Sequence, residues 1–280
     1  MGTTPEEDSP RAAFALLSWR VNLAVVVGLI PLSVLAWRST VQDALSMRGM
    51  VMGLGQIGWL AQGDMSAGVF LAMWVTMMVA MMLPTVAPMV LAHLGVTRRR
   101  GRGIAPTLVF IAGYLVIWSA IGVVPLIAYK AFAPLSEDAA LLPWLPALAG
   151  AVLIVVGAYQ FTAWKRICFD HCQSPFAFIA SHDFDGGAVS AVRAGVMHGA
   201  FCLGCCWAIT AVLLVVGLMN LLWMAGIFAL FFIEKSWKHG LIVARIAGVA
   251  LIALGAAVIA WPEVLAAISL INPFAILAVA

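Results

Sequence analysis

Five cysteines and five histidines stand where soft-metal chemistry would need them. His198, Cys202 and Cys206 follow one another at i, i+4 and i+8, with Cys205 at i+7. On a helix that spacing makes one stripe. Upstream, Cys168-Phe169-Asp170-His171-Cys172 offers a C-x-x-H-C cluster, read as part of a loop over 165–190. Thiolates and imidazoles select Cu(I) and Zn, whereas oxygen ligands suit Mg or Ca. A lone cysteine packs as a small hydrophobe, which is the plain alternative for each thiol taken singly. The combination of stripe and cluster favours a metal: His198, Cys202, Cys205, Cys206, Cys168, His171 and Cys172 are the candidate ligands, with Cu(I) preferred over Zn.

Methionines supply a second soft set. Met73, Met77 and Met81 recur every four residues, and Met78, Met82 and Met89 line the adjoining face: six methionines within 17 residues. Thioethers prefer Cu(I), which makes Met77 and Met81 candidate ligands; filling of irregular gaps in helix packing is the competing account. Pro84 has no N–H, so a kink is expected beside this stripe. Met47, Met50, Met52 and Met65 would extend the thioether path outward. Glu234 is the ionisable group most deeply set in an apolar run, and such groups are costly and usually functional, which adds Glu234 to the candidate metal ligands. An ion pair with Lys235 or Lys238 is its structural alternative.

These residues are carried by a chain that cannot cover itself with a water-facing surface. Of its 280 residues 64% are hydrophobic and 10% charged, and the mean hydropathy is +1.08. A soluble domain is nearer half apolar and a quarter charged. A bilayer span needs ~20 mostly apolar residues. Seven runs qualify: Val21 to Trp37, Ser66 to Leu94, Pro106 to Tyr129, Trp144 to Trp164, Ala191 to Gly217, Asn220 to Lys238 and Leu241 to Trp261. The fold class expected is all-α, a polytopic membrane bundle of about seven transmembrane helices over 21–261. A tail of 1–20 precedes it and an apolar tail of 262–280 follows. The first run reads as a retained helix, because Glu6, Glu7 and Asp8 precede it and no small-residue cleavage site follows.

Basic residues give the bundle a direction. Arg11, Arg20, Arg98, Arg99, Arg100, Arg102, Lys165, Arg166, Arg193, Lys235, Lys238 and Arg245 fall on one side, against Arg38, Arg48 and Lys130 on the other. Basic loops stay cytoplasmic, so the N-terminus is expected inside and the C-terminus outside, in a bacterial inner membrane. The run Arg98 to Arg102 is then a topology determinant, and nucleic acid is not an expected partner. All the cysteines and histidines fall at or near the cytoplasmic side, where a structural disulfide framework is the weaker account. The short joint Gly217-Leu218-Met219-Asn220 makes the fifth and sixth runs a hairpin, which sets Glu234 level with Cys202 and His239 near His198.

No catalytic signature stands out: no Ser/His/Asp order, no phosphate-binding glycine loop and no H-E-x-x-H. Gly195 and Gly199 form a G-x-x-x-G, read as a close helix contact.

Ala80-Met81-Met82-Leu83-Pro84, Gly113-Tyr114, Gly157-Ala158-Tyr159-Gln160, Lys165-Arg166-Ile167-Cys168, His171-Cys172-Gln173-Ser174-Pro175, Gly204-Cys205-Cys206-Trp207 and Glu234-Lys235 resemble an uncharacterised bacterial family, described as predicted metal-binding integral membrane proteins, over about residues 66–255. The family often carries a Met pair after Cys-Cys-Trp. Here Ala208-Ile209-Thr210 stands there instead. The expected function is the handling of a soft transition metal ion, Cu(I), by transport or by delivery to a metallochaperone or a co-encoded membrane or periplasmic protein. A membrane thiol–disulfide oxidoreductase and an assembly subunit with a stapling metal are the alternatives.

Overall fold

A computed structural model describes residues 28–45, 66–135, 142–173 and 187–270. Every regular element among them is helical: α1 (28–45), α2 (Ala67–Arg99), α3 (Ala105–Ile121), α4 (Val123–Leu135), α5 (Leu145–Tyr159), α6 (Ala163–Gln173), α7 (Gly187–Val216), α8 (Leu221–Ser236), α9 (Gly240–Ala260) and α10 (Glu263–Leu270). Four stretches are long and apolar enough to cross a membrane: Ala67–Arg99, Ala105–Ala128, Gly187–Val216 and Gly240–Ala260. A fifth arises if α5 and α6, bent by 61°, form one broken span. α8, with 16 residues, is shorter than the ~20 of an upright span.

Local chemistry sets the helix ends. Ser66 caps α2, its Oγ accepting from Val69 N at 3.3 Å, which satisfies one of the amides left over at a helix start. The α2 helix then runs through both Pro84 and Pro88 without ending. Gly101, at φ +70, turns the chain back. Asn220 caps α8 by accepting from Trp223 N at 3.3 Å, after Gly217 at φ +109 closes the tight joint from α7.

Contacts along the helices fix their relative directions. His93 meets Thr107 and Trp74 meets Trp118, so α2 and α3 are antiparallel. Gly195 lies against Phe110 and Gly199 against Tyr114 and Ile117, so α3 and α7 run parallel. A Cβ on Gly195 would collide with the Phe110 carbonyl, and one on Gly113 would come within 2.6 Å of Val192 O. Small residues let these two backbones touch. α5 and α9 are antiparallel, with Gly150 against Gly255 and Gly157 against Gly248. Trp144 and Trp261 therefore share one end of that pair and Trp164 and Trp237 the other, all four exposed, as rings at two membrane interfaces would be. The buried core centres on α2, α3, α7 and α8, while many large apolar side chains, Val155 and Ile246 among them, remain on the outside.

One local assignment needs correcting. The stretch after Lys165, expected as loop, is helix α6 as far as Gln173. Lys165, Cys168, Phe169 and Cys172 stand at i, i+3, i+4 and i+7, one face of a helix, and they turn inward while Arg166, Ile167, Asp170 and His171 are exposed. Met47, Met50, Met52, Met65 and His182 lie outside the described residues.

Candidate metal centre

α7 brings Cys202 and Cys205 to one face, and α6, folded back by its bend, brings Cys172 to meet them. The three Sγ atoms lie within 4.8 Å of one another, with Cys172 and Cys205 3.6 Å apart. Three sulfurs at ~2.3 Å around one ion would be spaced by ~4.0 Å. The group contains no carboxylate. Its donors are soft, and none of the five cysteines is in a disulfide. Cys202 and Cys205 are buried and Cys172 half-buried. Such a donor set fits Cu(I) or Zn by type and by spacing.

Neighbouring side chains hold this arrangement. Tyr114 OH is 3.2 Å from Cys202 Sγ, and Tyr159 OH donates to Gly204 O at 2.6 Å. Lys165 Nζ, fully buried, forms an ion pair with Glu234 Oε2 at 3.0 Å and donates to Cys205 O at 2.7 Å. One ammonium thus ties α6 to α7 and α8. Lys235 Nζ lies 3.1 Å from Cys202 Sγ and 3.2 Å from Thr85 Oγ1. An ammonium so placed compensates the negative charge of a thiolate. Gln173 Nε2 anchors the end of α6 on Trp237 O at 2.6 Å.

A cavity of about 30 Å³ opens beside the cluster, lined by Thr85, Val86, Pro88, Met89, Cys172, Gln173, His198 and Lys235. That is room for a water molecule or two.

The other candidate ligands are distributed around this group. Cys206 Sγ is 3.3 Å from Cys205 Sγ but is not one of the three sulfurs that lie within 4.8 Å of one another. Cys168 packs beside Gly204, where a Cβ would come within 2.5 Å of its sulfur. His198 is buried, with its ring 6.0 Å from those of Phe110 and Tyr114, and it faces the cavity. His171 stacks on Phe201 at 4.2 Å on the exposed side of α6, its Nδ1 2.8 Å from Ile167 O. Met77 and Met81 are fully buried in α2, and it is Met89 that reaches the cavity. Glu234 lies beneath the cluster, but Lys165 is its partner, and Lys235 points at Cys202. His93 belongs to a separate contact, 3.0 Å from Thr107 Oγ1 and stacked on Phe110.

Spacing alone gives Lys165 and Lys235 as topology charges, with Lys235 also a candidate ion-pair partner of Glu234; Tyr114 and Gln173 stand in the family motifs without a role, and nothing in the sequence singles out Thr85. The hairpin depth rule that put Glu234 level with Cys202 puts Lys235 there as well. The helical spacing of Lys165 with Cys168 and Cys172 was the signal for the other lysine.

Among the described residues, helices long and apolar enough to cross a membrane carry a cluster of three cysteines, which is compatible with a metal-handling protein of membrane type. The match to known families is specific: residues 71–258 match PpoB2, copper chaperone. The chain belongs to that family, which together with the cluster points to copper handling. No curated protein and no solved structure matches it.

Proposed function

We propose that the chain is an integral membrane copper carrier that holds Cu(I) on Cys172, Cys202 and Cys205 and passes it to a metallochaperone or a membrane or periplasmic partner. The convergence of three thiol sulfurs from α6 and α7 within 4.8 Å carries this reading. Copper here is cargo, exchanged by ligand substitution. Cys206, Cys168 and His198 stand close enough to take part in that exchange, and Met77 and Met81 form the thioether approach along α2. Glu234 acts through Lys165 and not as a ligand. In this reading the bundle crosses a bacterial inner membrane seven times with its N-terminus inside. The antiparallel α2–α3 and α7–α8 pairs, the parallel run of α3 and α7, the arginines after α2 and the exposed tryptophans at both ends of the α5–α9 pair support it.

The test is Cu(I) titration of the detergent-purified full chain against a competing Cu(I) chelator, without oxygen. About one Cu(I) per chain is expected from three thiolates around one ion, and the variant carrying Cys172→Ser, Cys202→Ser and Cys205→Ser loses it. Full load and unchanged affinity in that variant would overturn the reading.

The 3.6 Å between Cys172 and Cys205 sulfurs favours one second reading, a thiol–disulfide oxidoreductase. Alkylation separates the two. Bound Cu(I) protects these thiols in a carrier, whereas a redox pair stays reactive towards a disulfide whether or not copper is present.

A further inference from the structure

Thiolates alone do not choose between Cu(I) and Zn(II), since both metals accept them. The two lysines at the cluster differ in a way that bears on the choice. Lys165 has its charge met by Glu234 at 3.0 Å. Lys235 is directed at Cys202 Sγ, 3.1 Å away, and is held there by Thr85 Oγ1 at 3.2 Å and by the Phe231 ring, 6.0 Å from Nζ to centroid. It also borders the cavity that Cys172, His198 and Met89 line, so an ion moving from that cavity to Cys202 passes the ammonium.

We propose that Lys235 is a specificity-determining residue that favours a monovalent over a divalent cation at Cys172, Cys202 and Cys205. The proposal rests on the copper-carrier reading above.

An ammonium beside the sulfurs acts on a bound metal in two ways. It stabilises the thiolates, and that contribution is common to every metal held by the same sulfurs. It also repels the metal itself, twice as strongly for a charge of +2 as for +1. Only the second effect discriminates. With a metal–sulfur bond of ~2.3 Å and the nitrogen 3.1 Å from Cys202 Sγ, the ion sits about 5 Å from Nζ. One extra unit of charge at ~5 Å, in an effective dielectric of ~20, corresponds to a factor on the order of a hundred in binding. Water reaching the half-buried Lys235 side chain weakens this, which leaves roughly tenfold as the least effect expected.

The experiment measures Cu(I) and Zn(II) affinities of the full chain in detergent, each against its own chelator, for wild type, Lys235→Leu and Lys235→Arg. Lys235→Leu should raise the ratio of Zn(II) to Cu(I) affinity by roughly tenfold or more, and Lys235→Arg, which keeps the charge, should hold it within about threefold. An unchanged ratio in Lys235→Leu overturns the proposal. If that variant elutes as aggregate, Lys235→Gln is measured in its place, with the same two outcomes. Wild type that binds no Cu(I) at the three cysteines overturns the carrier reading itself. Wild type that binds Cu(I), together with a neutral variant of unaltered ratio, removes only the role of Lys235.

Discussion

Replacing Glu234 by leucine leaves the Lys165 ammonium fully buried without its carboxylate. At the observed 3.0 Å, the lost attraction is ~5.5 kcal/mol for an effective dielectric of ~20. Lys165 keeps its bond to Cys205 O at 2.7 Å, which offsets part of that loss. Breaking one side of a buried pair costs ~3–5 kcal/mol, and Glu234→Leu is expected in that range. Lys165→Met is expected to cost about as much, because it strands the carboxylate and removes the bond to Cys205 O; the range is again ~3–5 kcal/mol. The double variant puts two apolar side chains in place of the pair and should be less destabilised than the sum of the two single ones, by a coupling of ~3 kcal/mol. Unfolding in mixed micelles, followed by reaction of the buried cysteines with a fluorogenic thiol reagent, measures all three. Single variants each within ~1 kcal/mol of wild type, or a double variant equal to the sum of the singles, would refute the idea that this pair clamps α6 onto α7 and α8.

Four further outcomes are expected. Gly195→Val drives a side chain into the Phe110 carbonyl and should cost ~3 kcal/mol or more by forcing α3 from α7. Gly226→Ala, with open space around it, should match or exceed wild type by up to ~1 kcal/mol; the same thiol-reagent unfolding assay checks both. Tyr114→Phe removes the hydroxyl 3.2 Å from Cys202 Sγ and should change Cu(I) affinity by ~2–10-fold without loss of fold, read by chelator competition. His171→Ala should leave Cu(I) affinity within ~2-fold, since the ring is stacked on Phe201 away from the cluster, while Cys172→Ser loses more than ~10-fold. Equal losses in the two would return His171 to the ligand set.

The helices were legible because membrane helices are written in unbroken apolar runs. Ser66 to Leu94 became Ala67–Arg99, Ala191 to Gly217 became Gly187–Val216, and Leu241 to Trp261 became Gly240–Ala260. The stripe on α7 was legible for the same reason: helical spacing turns sequence directly into a face, and Cys202 with Cys205 does share one. The α6 helix was not, because its polar residues resemble a loop until its inward face is counted as Lys165, Cys168, Phe169 and Cys172. The choice among eligible sulfurs was not legible either. Cys172 joins Cys202 and Cys205 while Cys168 stays by Gly204, and that depends on the angle at which α6 returns after its 61° bend. Spacing within α6 carries no trace of that angle. The partner of Glu234 lay 69 residues away in sequence, and only tertiary packing selects it over its neighbour Lys235.

That packing has a consequence for how copper would move. A cavity of about 30 Å³ admits little more than water, so on the carrier reading a hydrated or chelated ion cannot reach the sulfurs whole. It must shed its ligands one by one as protein donors replace them. The cavity wall supplies such donors, with Met89 and His198 beside Cys172, and Cys172 is already one of the three sulfurs. Exchange through a shared cysteine never leaves the ion without a ligand, which keeps each step low in cost even where water is excluded. A buried cluster is then compatible with release: whatever partner takes the ion needs only to compete for one sulfur at a time, and Cys172, the half-buried one on the short helix, is the sulfur it can reach first.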